Sequence, residues 1–368
     1  MAKRCNWRAK HKNKMDWNFI IFSIVKIAIV IGAVQTFAAY AVLAERKISA
    51  WIQDRVGPNR VAPPFMKYVP ILGPVLTRMG IFQPLADGLK FMLKEDFTPA
   101  GVRKAYFWIA PAISVIPSMI VVAVIPFGSF IGHQKMVIAD LNVGILYTFG
   151  IVSLGVYGIV LAGYAANSKY PFLGGIRSSA QMISYEIAMG MSVIPVFLIA
   201  STLNLSATVN WQAQHGWMVA YAPLSFIIFL IASFAETNRT PFDLPEAETE
   251  LVGGYHTEYS SMKFALFFLA EYSNMVAASG MMVTLFFGGW TLPFWGLDQP
   301  AHSVGIGVAQ IIVFILKMFV LMTVFIWVRW MWPRFRYDQL MDLGWRRFVP
   351  LALVNILITA IILWMRAS

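Results

Sequence analysis

Cysteine is almost absent from this sequence of 368 residues, since Cys5 is the only one. A single thiol cannot form an internal disulfide, and it cannot supply the set of thiolates that holds an iron–sulfur cluster. The five histidines are scattered along the chain, with no two at the spacing that places metal ligands on one helix face. We therefore expect no zinc, haem or other metal site in this chain.

Charged residues are also scarce. They make up 13% of the chain, whereas 58% of the residues are hydrophobic and the mean hydropathy is +0.66. This composition lies outside the range of ordinary soluble proteins and is typical of polytopic membrane proteins. The few charges that remain are therefore the features most informative about function.

Eight apolar stretches approach or exceed the roughly 20 residues that a membrane-spanning helix needs. We therefore predict an all-α membrane protein with a bundle of about eight transmembrane helices. It would form a single polytopic domain over residues 17–368, preceded by a basic tail at 1–16. The stretches lie near residues 17–44, 105–127, 143–166, 178–201, 216–236, 262–288, 304–328 and 348–365.

Lysine and arginine are concentrated in alternate connections between these stretches, at about 45–104, 167–177, 237–261 and 329–347. By the positive-inside rule these four connections are cytoplasmic. With an even number of spans, both termini then lie in the periplasm, although the basic N-terminal tail argues for the opposite orientation.

The first connection contains a segment with helical periodicity. Phe82, Leu85, Leu89 and Met92 form an apolar stripe, and a second stripe is made by Gln83, Asp87, Lys90 and Lys94. This pattern predicts an amphipathic helix. Such a helix either lies in the headgroup plane with its charges in water, or turns Asp87 and Lys90 towards a cavity in the protein.

The run from 236 to 259 is acidic in a chain that is otherwise basic. Thr240, Pro241 and Asp243 fit an N-cap, a first-turn proline and an acid at the third helical position, and Pro245 fits the start of a second helix. We therefore expect an ordered connection. One cation, Arg239, accompanies its six carboxylates, which are Glu236, Asp243, Glu246, Glu248, Glu250 and Glu258.

Five charged residues fall inside the apolar stretches. A charge at the centre of a bilayer costs roughly 3 kcal/mol, so each needs a partner, a water-filled cavity or neutralisation. Three glutamates on different helices favour a proton or ion path, while the alternative is that they only join helices. The residues are Lys26, Glu186, Glu236, Glu271 and Lys317.

The last connection combines arginines with aromatic residues. A basic aromatic loop is usually only a topology signal that meets the headgroups. It can also pair with the acidic connection on the same face of the membrane. The residues that would form this interface are Arg329, Arg334, Arg336 and Asp338.

Several of these segments together resemble the H subunit of bacterial respiratory complex I, the NADH–quinone oxidoreductase. The resemblance covers residues 17–364, and the Trp330–Trp332 run departs from it because the family usually has smaller residues there. It is carried in order by AERKISAWIQDRVGPNR, QPLADGLKFMLKE, SSAQMISYEIAMG, the acidic run, LAEYSN and PRFRYDQLM.

The resemblance implies a membrane protein that forms the quinone entrance and part of the quinone chamber, and that couples quinone reduction to proton translocation. It implies that Glu186, Glu236 and Glu271 belong to the proton-coupling path. The residues matching the entrance are Glu45, Arg46, Arg55, Asp87 and Lys90. Those matching the loop that faces the chamber are Arg239, Asp243, Glu246, Glu248, Glu250 and Glu258.

By the same resemblance, this chain holds no redox centre, quinone is the substrate, and flavin and iron–sulfur clusters belong to partner subunits. Those partners would be the B and C/D subunits of the hydrophilic arm and the A, J and K subunits of the membrane arm, in a bacterial inner membrane. Two alternatives remain at this point: a quinone-independent component of a membrane-bound hydrogenase, and a stand-alone ion transporter.

Overall fold

The computed structural model describes residues 17–64, 66, 72–132, 134–245, 248–293 and 297–367. Seven helices within these ranges are long and apolar enough to cross a membrane. The chain is therefore an all-α, multi-pass membrane protein, as the composition predicts. The basic tail at 1–16 lies outside the described residues.

The helices are numbered in chain order over the described ranges. They are α1 (Trp17–Ile52), α2 (Leu72–Met79), α3 (Gln83–Leu93), α4 (Lys104–Val121), α5 (Gly144–Ala165), α6 (Lys169–Ala200), α7 (Leu205–His215), α8 (Met218–Tyr221), α9 (Pro223–Glu236), α10 (Glu248–Leu251), α11 (Ser261–Phe286), α12 (Val304–Met331), α13 (Tyr337–Asp342) and α14 (Val349–Ala367). The 3-10 segment Val122–Val124 follows α4, the 3-10 segment Gly254–His256 precedes α11, and the π-helical segment Leu343–Phe348 joins α13 to α14. Two short strands, β1 (Phe130–Ile131) and β2 (Gln134–Lys135), pair antiparallel.

The fifth predicted span does not form one helix of membrane-crossing length. The apolar stretch at 216–236 is divided into α8 and the 14-residue helix α9, with Ala222 outside the helical conformation at φ −134° and ψ 60°. A residue that precedes a proline is disfavoured in the α region, so Pro223 starts a new helix instead of continuing the old one. The bundle thus has seven long helices and one short apolar helix among the described residues.

Two helices extend into the predicted cytoplasmic connections. Helix α1 continues to Ile52, which places Glu45 and Arg46 on a helix and not in the connection that we predicted from residue 45. Helix α6 begins at Lys169 and takes up most of the predicted connection at 167–177. The charged and polar residues that suggested helix ends instead make tertiary contacts, which removes the cost of burying them.

The connection at 329–347 is also largely helical. Helix α12 runs to Met331, and α13 with its π-helical extension leads directly into α14, so that the last candidate span is Tyr337–Arg366. The hydroxyl of Tyr185 on α6 donates to the carbonyl of Leu340 at 2.9 Å, and both residues are fully buried. This contact ties the last helical unit to the centre of the bundle.

The described part of the acidic connection is ordered, but the helix predicted to begin at Thr240 is absent from it. Residues 237–245 form turns, and the described helix in this connection is α10, of four residues. In the turn segment 237–245, the apolar residues Phe242 and Leu244 are 3% and 1% exposed. The sequence pattern was misleading because the polar groups of this segment bond to other helices and not to a local cap.

The amphipathic helix α3 is present where the two stripes predict it. The loop after α3 is attached to α11: Ser261 Oγ donates to the carbonyls of Phe91 and Lys94, both at 2.9 Å, and Lys263 Nζ lies 3.0 Å from Asp96 Oδ2. The apolar residues Leu85, Leu89 and Met92 are exposed. In a bilayer this surface meets lipid, while Gln83 and Asp87 of the polar stripe are partly buried and Lys90 and Lys94 are exposed.

The two lysines that the sequence places inside apolar stretches, Lys26 and Lys317, are partly buried and bind backbone carbonyls. Lys317 of α12 donates to the carbonyls of Phe287, Gly289 and Thr291, with its ammonium 4.9 Å from the ring of Trp217. These carbonyls follow the end of α11, where the chain is irregular and buried. Non-helical backbone at membrane depth is tolerated only when protein groups satisfy it, and Lys317 provides that satisfaction.

Close approach of helices α5 and α6 depends on glycine. A Cβ atom built on Gly163 would lie 2.5 Å from the carbonyl oxygen of Pro171 on α6, and backbone cannot move aside as a side chain can. Gly150, on the same helix, has no atom within 4 Å of the equivalent position. Gly163 therefore sets the spacing of these two helices.

We expect Gly163→Val to destabilise the protein by about 1–3 kcal/mol, because the added side chain forces α5 and α6 apart. The thermal unfolding midpoint of the purified chain in detergent measures this effect. Gly150→Val is the matched control, since it makes the same change of helix propensity in open space. Equal midpoints for the two variants would show that this contact does not limit the packing.

Candidate functional site

A network of buried charges lies where α1, α11, α12 and the loop after α9 meet. Arg239 of the loop is 2% exposed, and its Nη1 lies 2.9 Å from Glu45 Oε2 of α1. Its Nε lies 2.6 Å from Glu271 Oε1 of α11, in ion-pair contact without the angle of a hydrogen bond. One guanidinium thus joins two carboxylates on different helices.

Two further groups complete the network around Glu45. Arg329 at the end of α12 is bonded to Oε1 of Glu45, and the hydroxyl of Tyr272 donates to Oε2 at 2.6 Å. The guanidinium of Arg239 also lies 4.3 Å from the centre of the Tyr272 ring. Glu45, Arg239, Glu271, Tyr272 and Arg329 are called the charge network below.

The charges of this network balance, with two carboxylates and two guanidinium groups. Burial disfavours the charged form of Arg239, but the neighbouring carboxylates, with Glu271 first, hold the pKa of its guanidinium above its usual range. Arg239 therefore stays cationic. A balanced network is stable in a low dielectric only while each member keeps its partners, so a proton or a charged ligand that arrives here must change its geometry.

The loop that carries Arg239 is positioned by α6. Gln181, fully buried, donates from Nε2 to the carbonyls of Ala235 and Phe242, both at 2.7 Å. Ser178 donates to the side chain of Asn238 at 3.4 Å. These bonds satisfy backbone carbonyls of a turn that has no regular helix or strand hydrogen bonding, and they orient Arg239 towards α1.

The acidic and basic connections meet at Asp243 and Arg334. Their Oδ2 and Nη2 atoms are 3.0 Å apart, and Asp243 is 6% exposed. Burial raises the pKa of Asp243 above its usual range, although the nearby guanidinium groups, first that of Arg334, oppose the shift. Of the two interpretations of the basic connection, pairing with the acidic connection is the one that this geometry matches.

A cavity of about 540 Å³ lies against the charge network. It is enclosed by α1, α3, the first half of α11 and the end of α12, and most of its wall is apolar. Its polar residues are Glu45, Arg46, Ser49, Asp87, Lys90, Tyr272 and Arg329. Volume and lining are those of a small-molecule site that receives a largely apolar ligand with a polar head.

The polar stripe of α3 forms one wall of this cavity. Asp87 and Lys90 both line it, and Asp87 Oδ2 lies 2.7 Å from Arg46 Nη1 of α1. The amphipathic helix therefore matches both alternatives in part, because it has a surface for lipid and also turns Asp87 and Lys90 towards a cavity. Leu85 and Leu89 face outward, whereas Asp87, Lys90 and Met92 line the cavity, which places the cavity beside the lipid-exposed surface.

Glu236 at the end of α9 is buried with one oxygen, Oε2, that has no hydrogen-bond partner among the described residues. It lines two small cavities. The first, of about 30 Å³, is shared with Glu271 and Asn274, and the second, of about 40 Å³, extends to Thr148 and again includes Asn274. A void needs only roughly 10–15 Å³ to hold a water molecule, so both have room for one.

Glu186 lies near the middle of α6, about 26 Å from its start at Lys169 at 1.5 Å per residue. The apolar stretch predicted from residue 178 places Glu186 at a smaller depth, because the helix begins earlier than that stretch does. Its carboxylate accepts a hydrogen bond from the hydroxyl of Ser153 on α5. Glu186 thus has one neutral partner and no ion pair among the described residues.

Other predicted site residues lie outside this centre. Arg55 is exposed and donates to Gln53 at 2.7 Å. Arg336 and Asp338 are 78% and 73% exposed and 3.6 Å apart, and Glu250 pairs at the surface with Arg177 at 2.6 Å. Glu258 is half-buried before α11, Glu248 starts α10, and Glu246 lies outside the described residues.

Sequence reasoning missed three residues at the centre. Tyr272 lies next to Glu271 in the LAEYSN segment, and its hydroxyl was a signal that could have been used. Asn274 follows in the same segment and lines both small cavities. Gln181 lies in SSAQMISYEIAMG, but nothing in its spacing indicates that it bonds to a distant loop.

Together these features define a class: a multi-pass α-helical membrane protein with paired buried charges beside a lateral cavity. A family model described as NADH dehydrogenase matches residues 25–360. The chain belongs to this family, and the resemblance to the H subunit of bacterial complex I is confirmed. It is accordingly a multi-pass protein of the bacterial inner membrane.

Named relatives cover nearly the whole chain. An H subunit of NADH-quinone oxidoreductase from Geobacter metallireducens, the one numbered 1, is 47% identical over 352 residues, covering 94% of this chain and 98% of its own. The NADH-quinone oxidoreductase subunit 8 of Rhodothermus marinus is 48% identical, covering 90% and 94%. The H subunit of the NADH-quinone oxidoreductase of Flavobacterium johnsoniae is 44% identical, covering 95% and 97%. These names favour neither the hydrogenase nor the transporter alternative.

We expect Arg239→Met to destabilise the folded protein by about 3–5 kcal/mol, because it leaves Glu45 and Glu271 facing each other without their shared cation. The amount of the chain in the membrane and its thermal unfolding midpoint in detergent measure the loss. Arg336→Met is the control, since its pair is exposed and is expected to contribute less than about 1 kcal/mol. Similar midpoints for both variants would contradict the structural role of the charge network.

Proposed function

We propose that this chain forms the entrance and part of the chamber for quinone in an NADH–quinone oxidoreductase. The cavity beside the charge network carries the proposal. Its size suits a quinone, its largely apolar wall suits the isoprenoid tail, and its charged wall suits the polar ring. The outward apolar stripe of α3 supports entry of the ligand from the bilayer.

The residues on the polar wall have distinct roles in this proposal. Asp87 and Lys90 on α3 and Arg46 on α1 line the passage, and Glu45 with Arg329 lies at its inner end. We assign Arg55 to the outer opening of the quinone passage, because it does not line the cavity. Reduction of a quinone to a quinol takes up two electrons and two protons and leaves the ring neutral, so the charge next to Glu45 changes where groups of the chamber give up those protons.

We further propose that Glu271, Glu236 and Glu186 carry this change into the membrane. Glu271 belongs to the charge network and shares a small cavity with Glu236, whose unpaired oxygen points to a place for water. The second small cavity leads from Glu236 towards α5, which holds Glu186 through Ser153. A carboxyl group that is neutral when buried and ionises transiently is suited to pass a proton along such a series.

The surface formed by the acidic and basic connections is proposed to bind the hydrophilic arm. Its described groups are the Asp243–Arg334 pair, the exposed Arg336 and Asp338, and Glu250 and Glu258, and Glu246 and Glu248 are assigned to it from the sequence alone. The B and C/D subunits are proposed to dock here and to supply the iron–sulfur clusters that reduce the quinone, with flavin further along the arm. The A, J and K subunits of the membrane arm are proposed neighbours, with both termini of this chain in the periplasm.

Filling the cavity tests quinone binding. Gly88 lines the cavity, and a Cβ atom there meets nothing within 4 Å, so Gly88→Phe adds a ring without a local clash. We expect the KM for quinone to rise roughly tenfold, equivalent to about 1.4 kcal/mol of lost binding. The measurement is quinone-dependent NADH oxidation by the assembled complex, with NADH oxidation by a water-soluble electron acceptor as the check on assembly.

Leu85→Phe is the matched control for this experiment. It lies on the same helix and adds a ring on the outward face, away from the cavity wall. We expect it to leave the KM for quinone unchanged. If Gly88→Phe gave the same KM as Leu85→Phe, quinone would not pass through this cavity.

Removing titration without changing size tests the proton path. Glu236→Gln keeps the side-chain volume but cannot ionise, so we expect assembly to be retained while quinone-dependent NADH oxidation and proton pumping fall sharply. Glu236→Asp, which can still carry a proton, should retain more of both activities. Glu186→Gln should behave as Glu236→Gln does.

The control is Asp298→Asn, which removes a carboxylate from the connection between α11 and α12, outside the proposed chamber, proton path and docking surface. It should leave pumping unchanged. Wild-type pumping by Glu236→Gln in membranes where assembly is confirmed would make Glu236 a structural residue and end the proposal at this position.

A further inference from the structure

A second cavity lies on the opposite half of the bundle from the charge network. It is a groove of about 220 Å³ between α1, α11 and α12, and its wall is apolar throughout. On α1 it is lined by Ile29, Val30, Ala33, Val34 and Phe37. These positions repeat at three and four residues, so they form one continuous stripe along the helix.

Lys26 continues this stripe, since it precedes Ile29 and Val30 by three and four residues. Its ammonium donates to the carbonyls of Lys135 at 2.9 Å and Val137 at 3.3 Å, in and just after the β1–β2 hairpin. The hairpin closes this end of the groove, because Phe127 lines the wall and its amide donates to the carbonyl of Met136 at 3.2 Å. A cation thus lies at the end of an apolar groove.

The positions along α1 give the depth of the groove in the membrane. No charged residue lies between Lys26 and Glu45, and their separation of about 29 Å along the helix equals one hydrocarbon thickness. This spacing supports a position of Lys26 near the headgroups, on the membrane surface opposite Glu45. Phe37 lies about 16 Å from Lys26, close to the bilayer midplane. The groove spans the depth of one leaflet.

The lining indicates the occupant. The wall offers only apolar atoms along the α1 stripe from Ile29 to Phe37, a length of about 12 Å, which suits a hydrocarbon chain. At the headgroup end, an ammonium group has three donors, and Lys26 uses two of them on carbonyls of the described residues. The third donor and the positive charge suit a phosphate oxygen.

We propose that this groove is a binding site for a glycerophospholipid, with one acyl chain between α1, α11 and α12 and the phosphate at Lys26. The nearby Lys135 is exposed and pairs with Asp140 at 2.8 Å. Lys26, Lys135 and Asp140 together leave one net positive charge at the groove end, which favours an anionic headgroup. Such a lipid would fix the lipid-facing helix α1 at the end remote from the quinone cavity.

Photochemical labelling tests this site in the assembled complex. The complex is reconstituted into vesicles of phosphatidylethanolamine and phosphatidylglycerol that contain a trace of phosphatidylglycerol with a diazirine in the middle of its acyl chain. After illumination, labelled peptides are identified by mass spectrometry. We expect labelling of residues 29–37 and 276–280 to exceed that of the exposed face of α14 several-fold, because bulk lipid exchanges and a bound lipid does not.

Two variants and a control make the result decisive. Ala33→Phe fills the groove, and it should reduce the labelling of residues 276–280 about fivefold, a loss of roughly 1 kcal/mol in binding. Lys26→Gln should reduce it similarly by removing the charge. Ala28→Phe adds the same ring to exposed surface of α1 outside the groove and should leave the labelling unchanged.

Three outcomes would overturn the proposal. Equal labelling of the groove and of α14 would mean ordinary contact with bulk lipid, and no labelling of the groove would mean that another protein of the complex covers it. Undiminished labelling in Ala33→Phe would place the lipid elsewhere. NADH oxidation with quinone, measured on the same samples, reports separately on the quinone cavity, so this test does not depend on the proposed function.

Discussion

Pairing of buried charges is the constraint on which the rest of this structure depends. Glu45, Glu271, Arg239 and Arg329 come from three helices and one loop, and each would cost several kcal/mol if it were buried alone in a low dielectric. The protein can bury them only if α1, α11, α12 and the loop after α9 meet in one arrangement. Polar groups in a largely apolar chain thus specify how the helices assemble.

The same network separates two kinds of space. On one side lies a large cavity with an apolar wall beside the lipid-facing surface, and on the other lie two voids of water size around Glu236. Glu45 and Tyr272 face the first space, and Glu271 faces the second. In the proposed function, a change of charge in the large cavity acts through Arg239 on Glu271, the carboxylate that borders the small cavities.

Local backbone choices keep this arrangement in place. Gln181 holds the turn that presents Arg239, and Ser261 with Lys263 holds α3 against α11. Lys317 satisfies the irregular chain after α11, where bilayer lipid could not. Gln181, Ser261 and Lys317 each bond to more than one backbone carbonyl, and such bonds fix segments that have no regular hydrogen bonding of their own.

The sequence by itself determined the membrane class, the positions of most spans and the presence of an amphipathic helix, because hydropathy and helical periodicity are local properties. It also singled out Glu186, Glu236 and Glu271, because a charge within an apolar stretch is conspicuous wherever its partner lies, whereas Glu45 was named only through the family resemblance. The helix predicted from Thr240 was wrong because the turn is stabilised by Gln181, a residue far away in the chain. Only the tertiary structure decided which charges pair: Glu45 and Arg239 are 194 residues apart in sequence, and Glu45 and Arg329 are 284 residues apart. No spacing rule connects such positions, so the network, the role of Tyr272 and the cavities follow from how the helices pack. The physical reason is that a charge in an apolar stretch, and hence its desolvation cost, can be recognised from the sequence. The ion pairs and hydrogen bonds that offset this cost involve residues that only folding brings together.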